Sequence, residues 1–395
     1  MPLYGVNLPD TARLRVDAGA PELRLDELQL GKELEPGRPV RLLDRGAGVV
    51  ACGIADPENG VLRIFSRNEV KAFDLEFFRR RVGGSVALRR AVGLPGPGDE
   101  AYRLVNNEGD GLPGLTADVY GPFIVISVPG RGLLPVGRLL AEAALAEQVG
   151  KGAVLKVRGK DPQDRSAKEE IVGDEPPAKL VVHELGVPYE VHLRGALNVG
   201  LFTDMREHRR NIGRFAAGRR VLNTFAYTGA LSVAAARAGA TAVTSVDLSG
   251  GVLAWARENF RLSGLDLEGD RHRFETSDTR RYLERQRADG AEFDMIILDP
   301  PTVSAARASQ WSMKKDYPDL IALAARLLPG NGGVLWVSGN PRRGPGIMEH
   351  VNEGLRRAGR RGAVLELGGL PPDYPTPPAW PEARYLEVCL LYVSD

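Results

Sequence analysis

The chain is poor in the residues that build disulfide scaffolds and metal centres. It has two cysteines, Cys52 and Cys389, and five histidines in 395 residues. Two cysteines argue against a disulfide framework. There is no CxxC pair and no histidine cluster with ligand spacing, so no metal site is expected. No run reaches the roughly 18 apolar residues that a membrane-spanning helix needs. The opening segment, MPLYGVNLPDTARLRVD, has no basic stretch followed by an apolar one. A cytoplasmic location with no membrane partner is the simplest expectation. An excess of one charge is also missing: the formal net charge is +1, so bulk charge does not announce a nucleic-acid partner. Basic residues are nonetheless clustered locally. Arg79, Arg80, Arg81, Arg89 and Arg90 form one group, Arg206, Arg209, Arg210, Arg214, Arg219 and Arg220 a second, and Arg271, Arg273, Arg280 and Arg281 a third. Arginine suits phosphate recognition through its bidentate fork. A GC-rich genome gives the same bias without any such role.

The most informative stretch runs from Val221 to Leu265. It reads as an apolar strand, a Gly-bearing turn, an Ala-rich helix from Ala230 to Ala238, a β-branched strand ending at Asp247, and a second helix. In a doubly wound sheet, ligands sit outside the carboxyl ends of the strands at a switch point, and an acid after the second strand accepts ribose hydroxyls. The dinucleotide fingerprint G-x-G-x-x-G is absent. The turn has one glycine, Gly229, after Tyr227 and Thr228. That favours a nucleoside cofactor without a pyrophosphate, such as S-adenosylmethionine (SAM). Asp278, after Phe274 to Ser277, is a further acid at a strand end and could meet an adenine amino group. FDMIILDPPT, from Phe293 to Thr302, is a buried strand opening into Asp299-Pro300-Pro301. Two prolines cannot continue a central strand or a helix, so they hold a rigid loop with Asp299 aimed into the crevice. Each strand-end acid also fits a helix N-cap.

Residues before about Asn68 read as β-rich, with turns at Gly46-Ala47-Gly48 and Asn59-Gly60. Glu69 to Arg90 reads as helical and Ala91 to Asp99 as a Pro/Gly linker. Tyr102 to Leu185 is a middle α/β segment containing an exposed polar loop, Arg158 to Lys179. From Leu193 apolar strands alternate with amphipathic helices. Tyr317 to Leu328 is a helix, Val334 to Ser338 a strand, and Arg384 to Val393 the last strand, closing the sheet in antiparallel fashion. The expected domains are 1–75, 76–190 and 191–395.

Five segments now carry a resemblance: LRGALNVGLFTDMREHRR (Leu193 to Arg210), NTFAYTGALSV (Asn223 to Val233), VTSVDLS (Val243 to Ser249), WARENFRLSGL (Trp255 to Leu265) and FDMIILDPPT. YRLVNNEGDGLPGLTADVYG (Tyr102 to Gly121) joins them. Together they resemble the bacterial class I SAM-dependent large-subunit (23S) rRNA methyltransferases, whose main members act on cytosine C5. The likeness runs from Tyr102 onward and is fainter before it. It implies an α/β fold: a Rossmann-like class I methyltransferase domain, a small β-rich PUA-like N-terminal domain that binds RNA, and the middle α/β segment. SAM is the implied cofactor and 23S rRNA or its precursor the implied partner. Monomer and homodimer are both left open.

The resemblance gives Phe202, Asp204 and Arg206 roles in covering the cofactor. With the strand-end reading, the candidate cofactor residues are those three, then Asn223, Phe225, Tyr227, Thr228 and Gly229, then Asp247, Leu248, Asp278, Thr279 and Asp299. Asp247 is placed on the ribose, Asp278 on the adenine edge, and Tyr227 to Gly229 along the methionine end. Asp299 and Cys389 are the catalytic candidates. Cytosine C5 is a poor nucleophile, so thiolate attack at C6 is needed first, and a base must later remove the C5 proton. Cys389 is the one cysteine in the expected catalytic domain; Cys52 reads as a buried small residue. Guanine-N7 methyltransferases are close relatives with a similar DPPT loop and an asparagine after the sixth strand, like Asn340. Cytosine-C5 enzymes with a Pro-Cys loop carry their nucleophile where this chain has Thr302. Guanine N7 is therefore the alternative acceptor, and a non-catalytic RNA-binding or ribosome-assembly protein is the alternative of another class. His208 is expected at the surface or in a cap rather than as a base.

Overall fold

The computed structural model describes residues 3–28, 34–158, 169–301, 312–340 and 344–395. The chain forms two units. The first comprises residues 1–186, 191–199 and 372–383; the second comprises 187–190, 200–371 and 384–395.

The first unit holds two five-stranded sheets. β1 (Tyr4–Asn7), β2 (Glu22–Arg24), β3 (Pro39–Leu43), β4 (Val49–Asp56) and β5 (Val61–Ser66) pair in the order β1-β3-β4-β5-β2. The expected β-rich start is present, together with a helix that the sequence reading did not mark, α1 (Asp10–Asp17). Gly53 is required where β4 crosses β5, because a Cβ there would stand 2.2 Å from the Arg63 carbonyl oxygen. α2 (Leu75–Ala91) starts at Asp74, whose carboxylate accepts the Phe77 N–H at 2.9 Å, as an N-cap should. Phe77 and Phe78 then pack edge-to-face with Phe65 and Phe73. Ile54 and Phe65 share this core with α2 and with the strands that follow. Those strands are β6 (Ala101–Asn106), β7 (Thr116–Tyr120), β8 (Phe123–Val128), β9 (Gly152–Val157) and β10 (Glu170–Gly173), with α3 (Leu134–Ala146) between β8 and β9. In the expected polar loop, residues 159–168 lie outside the described residues. Glu170–Gly173 is not loop, however: it pairs antiparallel with β9, Glu170 opposite Leu155. β11 (Leu180–Glu184) and β12 (Val187–Val191) follow, and the chain passes into the second unit.

The second unit is one seven-stranded sheet. Its strands are β13 (Arg220–Thr224), β14 (Ala242–Asp247), β15 (His272–Thr276), β16 (Met295–Leu298), β17 (Gly333–Gly339), β18 (Arg361–Gly368) and β19 (Glu387–Ser394). The order is β15-β14-β13-β16-β17-β19-β18. β13 to β17 are parallel, and β19 runs antiparallel between β17 and β18. This is the doubly wound arrangement read from the strand–helix alternation, with the expected antiparallel closure. Strand order reverses between β13 and β16, which opens a crevice at their carboxyl ends. The helices are α4 (Arg206–Ala216), α5 (Ala230–Arg237), α6 (Gly250–Leu262), α7 (Thr279–Ala288), α8 (Met313–Ala325) and α9 (Ile347–Ala358). β16, MIIL, is buried along its whole length, as a central parallel strand covered on both faces must be. α8 begins four residues earlier than expected, at Met313, and carries Pro318 inside it. Leu298, Tyr317, Leu335, Val337, Cys389 and Leu391 belong to one apolar core.

Candidate active site

The turn after β13 is built from strained backbone. Phe225 and Tyr227 have φ of 56° and 50°, and Gly229 has 75°. Left-handed conformations at bulky residues cost about 1–3 kcal/mol each and cluster where a site needs them. Side-chain bonds hold the turn in that shape. Asp247 Oδ2 accepts the Tyr227 N–H at 2.9 Å, and its Oδ1 accepts the Ser249 N–H at 2.9 Å. One carboxylate thus ties the end of β14 to the turn after β13. Each of its oxygens has a second acceptor position left, so a ribose hydroxyl can still be received. The Thr228 hydroxyl donates to the Gly200 carbonyl at 2.5 Å, and the Asn259 amide donates to the Thr228 carbonyl at 2.8 Å. Gly229 packs on α6 so closely that a Cβ would sit 2.8 Å from the Ala256 Cβ.

Around this turn stand aromatic rings. Phe202 lies 5.4 Å from Tyr227 and Tyr227 lies 6.4 Å from Trp255, centroid to centroid. The Trp255 indole N–H donates to the Glu190 carbonyl at 3.0 Å. Burial pushes the Tyr227 phenol up to about 12. Phe202 and Leu248 are large apolar residues left exposed, at 45% and 53%. Asn223 is fully buried: its amide N–H donates to Ser232 Oγ at 2.9 Å, while its Oδ1 has no hydrogen-bond partner.

Asp278 caps α7, its Oδ1 accepting the Arg281 N–H at 3.1 Å. The helix-cap reading is therefore realised; the other oxygen stays available for a ligand. Thr279 is buried in the first turn of α7. Asp204 receives the Tyr385 hydroxyl at 2.6 Å. Arg206 is buried with its Nε 3.5 Å from Glu207, and Arg209 donates to the Phe202 carbonyl at 2.8 Å. These two arginines lock the segment before β13 rather than present charge to solvent.

Asp299 follows β16, as the loop reading requires. Its Oδ1 accepts the Ser338 hydroxyl. Desolvation raises its carboxyl to about 6, against the bond from Ser338; Asp204 adds to the rise and Arg209 opposes it. Such a carboxyl can hold or release a proton near neutrality. Tyr317 donates to the Leu298 carbonyl at 3.2 Å and to the Ser338 carbonyl at 2.7 Å. That pins the ends of β16 and β17 together beneath Asp299. Thr302 lies outside the described residues.

Cys389 sits elsewhere. It is fully buried in β19, opposite Val337 of β17. Burial pushes its thiol up to about 11, so little thiolate forms near neutrality. Its surroundings are those of a core residue rather than of a nucleophile. Cys52, in β4, is equally buried. His208 corrects the surface reading: it is 3% exposed, its Nε2 donates to the Gly369 carbonyl at 2.8 Å, and it packs on Trp336. Part of the first arginine group is engaged by the protein itself. Arg89 is buried against Asp110, Arg79 pairs with Glu147, and Arg81 donates to the Phe65 carbonyl. Among the described residues no group of histidine, cysteine, aspartate and glutamate could hold a metal ion.

Three residues that complete the site were not singled out from sequence. Ser338 could have been, as the polar end of an apolar strand. Tyr317 and Tyr385 could not: Tyr385 meets Asp204 across 181 positions.

A parallel sheet with acids and a strained Gly-bearing turn at its carboxyl ends defines the class I methyltransferase architecture. The comparisons agree. Residues 135–384 match the family model described as S-adenosylmethionine-dependent methyltransferase. The chain is 32% identical to ribosomal RNA large subunit methyltransferase I of Aeromonas salmonicida over 336 residues, 82% of each chain. The enzyme of the same name from Tolumonas auensis is 32% identical, over 89% of this chain and 90% of that one. A SAM-dependent methyltransferase structure from Streptococcus mutans superposes with a TM-score of 0.85 at 25% identity, covering 99% and 100% of the two chains. A methyltransferase crystallised with S-adenosylhomocysteine superposes at 0.87 with 26% identity, again over 99% and 100%. The chain belongs to the S-adenosylmethionine-dependent methyltransferase family. It is an enzyme of class I, and its cofactor is SAM. The residues present suit that group: they offer strand-end carboxylates, an unpaired buried amide oxygen at Asn223 and exposed apolar side chains, without a phosphate cradle.

Proposed function

We propose that this chain methylates a base of large-subunit ribosomal RNA. The observation that carries the reading is Asp299. Its desolvated carboxyl stands on the Asp-Pro-Pro loop at the end of β16, held by Ser338, beside the turn that suits the cofactor. The names of the relatives supply the RNA, and a cytoplasmic site of action follows from that substrate. Asp247 takes the ribose, Asp278 and Thr279 with Leu248 the adenine, and Asn223, Phe225 and Tyr227 to Gly229 the methionine end. Phe202, Asp204 and Arg206 form the cover. Bound SAM supplies a methyl already activated by its sulfonium. What remains for the protein is mostly positioning for in-line attack, with Asp299 Oδ available to hold or take a proton.

Cytosine C5 is the acceptor implied by the sequence resemblance and is the first reading. Guanine N7 is a second, favoured by one observation: both cysteines are buried, and Cys389 is a core residue with a raised thiol. A nitrogen lone pair needs no covalent partner. The test is transfer of labelled methyl from SAM to large-subunit rRNA, followed by mass spectrometry of the nucleosides. 5-Methylcytosine supports the first reading and 7-methylguanine the second. Transfer to a metabolite extract but not to rRNA would overturn both.

A further inference from the structure

β16 and β17 run in parallel with Leu298 opposite Val337. Just beyond that pair, Ser338 donates to Asp299, and Tyr317 ties the two strand ends through the Leu298 and Ser338 carbonyls. The next position but one on β17's side is Asn340. Its Oδ1 is closed off from solvent and accepts no hydrogen bond. A buried polar atom left without a partner costs about 1–3 kcal/mol, and such an atom in a functional crevice calls for an explanation. A donor brought by a ligand is one.

The position of Asn340 in the sheet selects the ligand. The residues assigned to the cofactor stand at the ends of β13, β14 and β15. Asn340 follows β17, and β16 lies between β17 and β13. Adjacent strands are about 4.8 Å apart, so the end of β17 is roughly 10 Å from that of β13. Asn340 therefore shares the Asp299 side of the crevice, where the methyl acceptor must lie. An amide oxygen can only accept.

We infer that Asn340 reads the target base by accepting a hydrogen bond from its exocyclic amino group. The inference rests on the reading of the substrate as an RNA base. Cytosine and guanine both carry such an amine. Uracil presents a carbonyl in place of the cytosine amine, and two acceptors facing each other repel. Asn340 is thus a specificity residue, distinct from the groups that hold SAM.

The experiment uses the full chain and a large-subunit rRNA transcript. Asn340→Ala should lower kcat/KM for the RNA by about tenfold to a hundredfold, the effect of one lost buried hydrogen bond. SAM affinity should stay as in the wild type, and the melting temperature should not fall, since the substitution removes an unpartnered buried oxygen. A second arm leaves the protein untouched. Once the modified nucleotide is known, it is replaced by an analogue lacking the amine: a pyrimidin-2-one riboside for cytidine, or inosine for guanosine. Wild type should lose the same factor on this RNA, and Asn340→Ala should lose nothing more. Equal rates for wild type and Asn340→Ala on the natural transcript, or undiminished wild-type activity on the amine-free RNA, overturn the role of Asn340 alone. A wild type that transfers no methyl to any rRNA overturns the substrate reading and this inference with it.

Discussion

Asp299→Asn tests the electrostatics of the site directly. The Asp299 carboxyl is raised from 3.8 to about 6, chiefly by desolvation. One unit is worth 1.36 kcal/mol, so holding the charge at pH 8 costs the fold about 3 kcal/mol. Asparagine removes the charge and keeps a neutral bond from Ser338, as the protonated acid does. The variant should be more stable than wild type by about 3 kcal/mol at pH 8. A raised acid contributes stability that is full below its unfolded value and is lost as pH rises through its folded value. The gap should therefore narrow as pH falls from 7 towards 4, where both side chains are neutral. Urea unfolding followed by tryptophan fluorescence reports on this unit, since Trp336 is 1% exposed in its core. With m unchanged, a midpoint shift at pH 8 and little shift at pH 4 is the expected result. Methyl transfer should fall at least about a hundredfold, the scale of a lost acid–base group, while SAM still binds. A variant no more stable than wild type at pH 8, or equally stabilised at both pH values, would show that the Asp299 carboxyl is not desolvated.

Three further outcomes are expected. Asp247→Ala should weaken SAM binding by about 1.5–3 kcal/mol, the worth of hydrogen bonds to a charged group; calorimetry at wild-type affinity would remove Asp247 from the site. Gly200→Ala places a Cβ 2.3 Å from the Trp255 ring at φ +108°, so melting should show a loss of about 2 kcal/mol or more together with weaker SAM binding; unchanged melting would refute the contact. Cys389→Ala should cost about 1 kcal/mol and leave SAM affinity intact. Its turnover separates the acceptors: lost activity, with a wild-type adduct on 5-fluorocytosine RNA, assigns C5 chemistry to Cys389, whereas full activity frees the reaction of that thiol.

The doubly wound half of the chain was legible because its signals are local. β13, β14 and β16 are short runs followed by a Gly-bearing turn, an acid and two prolines respectively, and the structure places each within a residue or two of its reading. Asp247 and Asp278 were also legible as helix-cap or ligand groups, since both roles need an acid at a strand end. Of the two, only Asp278 is a helix cap in the structure, because Ser249 caps α6 in place of Asp247. Asp278 caps α7, and Asp247 anchors two loops, yet each keeps acceptor capacity. Burial was not legible in the same way. REHRR reads as a polar surface run, but His208, Arg206 and Arg209 are inside. Their partners, the Gly369 carbonyl for His208 and the Phe202 carbonyl for Arg209, are backbone atoms that no side-chain pattern marks.

The same limit applies to the arginine clusters. A guanidinium carries five donors in a fixed fork, which fit a carboxylate or several carbonyls as well as they fit a phosphate. Arg89 uses its fork on Asp110 and on the Arg103 and Asp373 carbonyls. Arg360 uses its own on the Ala325, Leu328 and Pro329 carbonyls. A cluster in sequence counts donors without saying which are already filled. Unfilled acceptors are the more telling sign. Asn223 and Asn340 each keep a buried amide oxygen without a partner, at the ends of β13 and β17 on either side of Asp299. A bound molecule that brings a donor would remove that cost. On the proposed function, Asn223 would serve the cofactor and Asn340 the base.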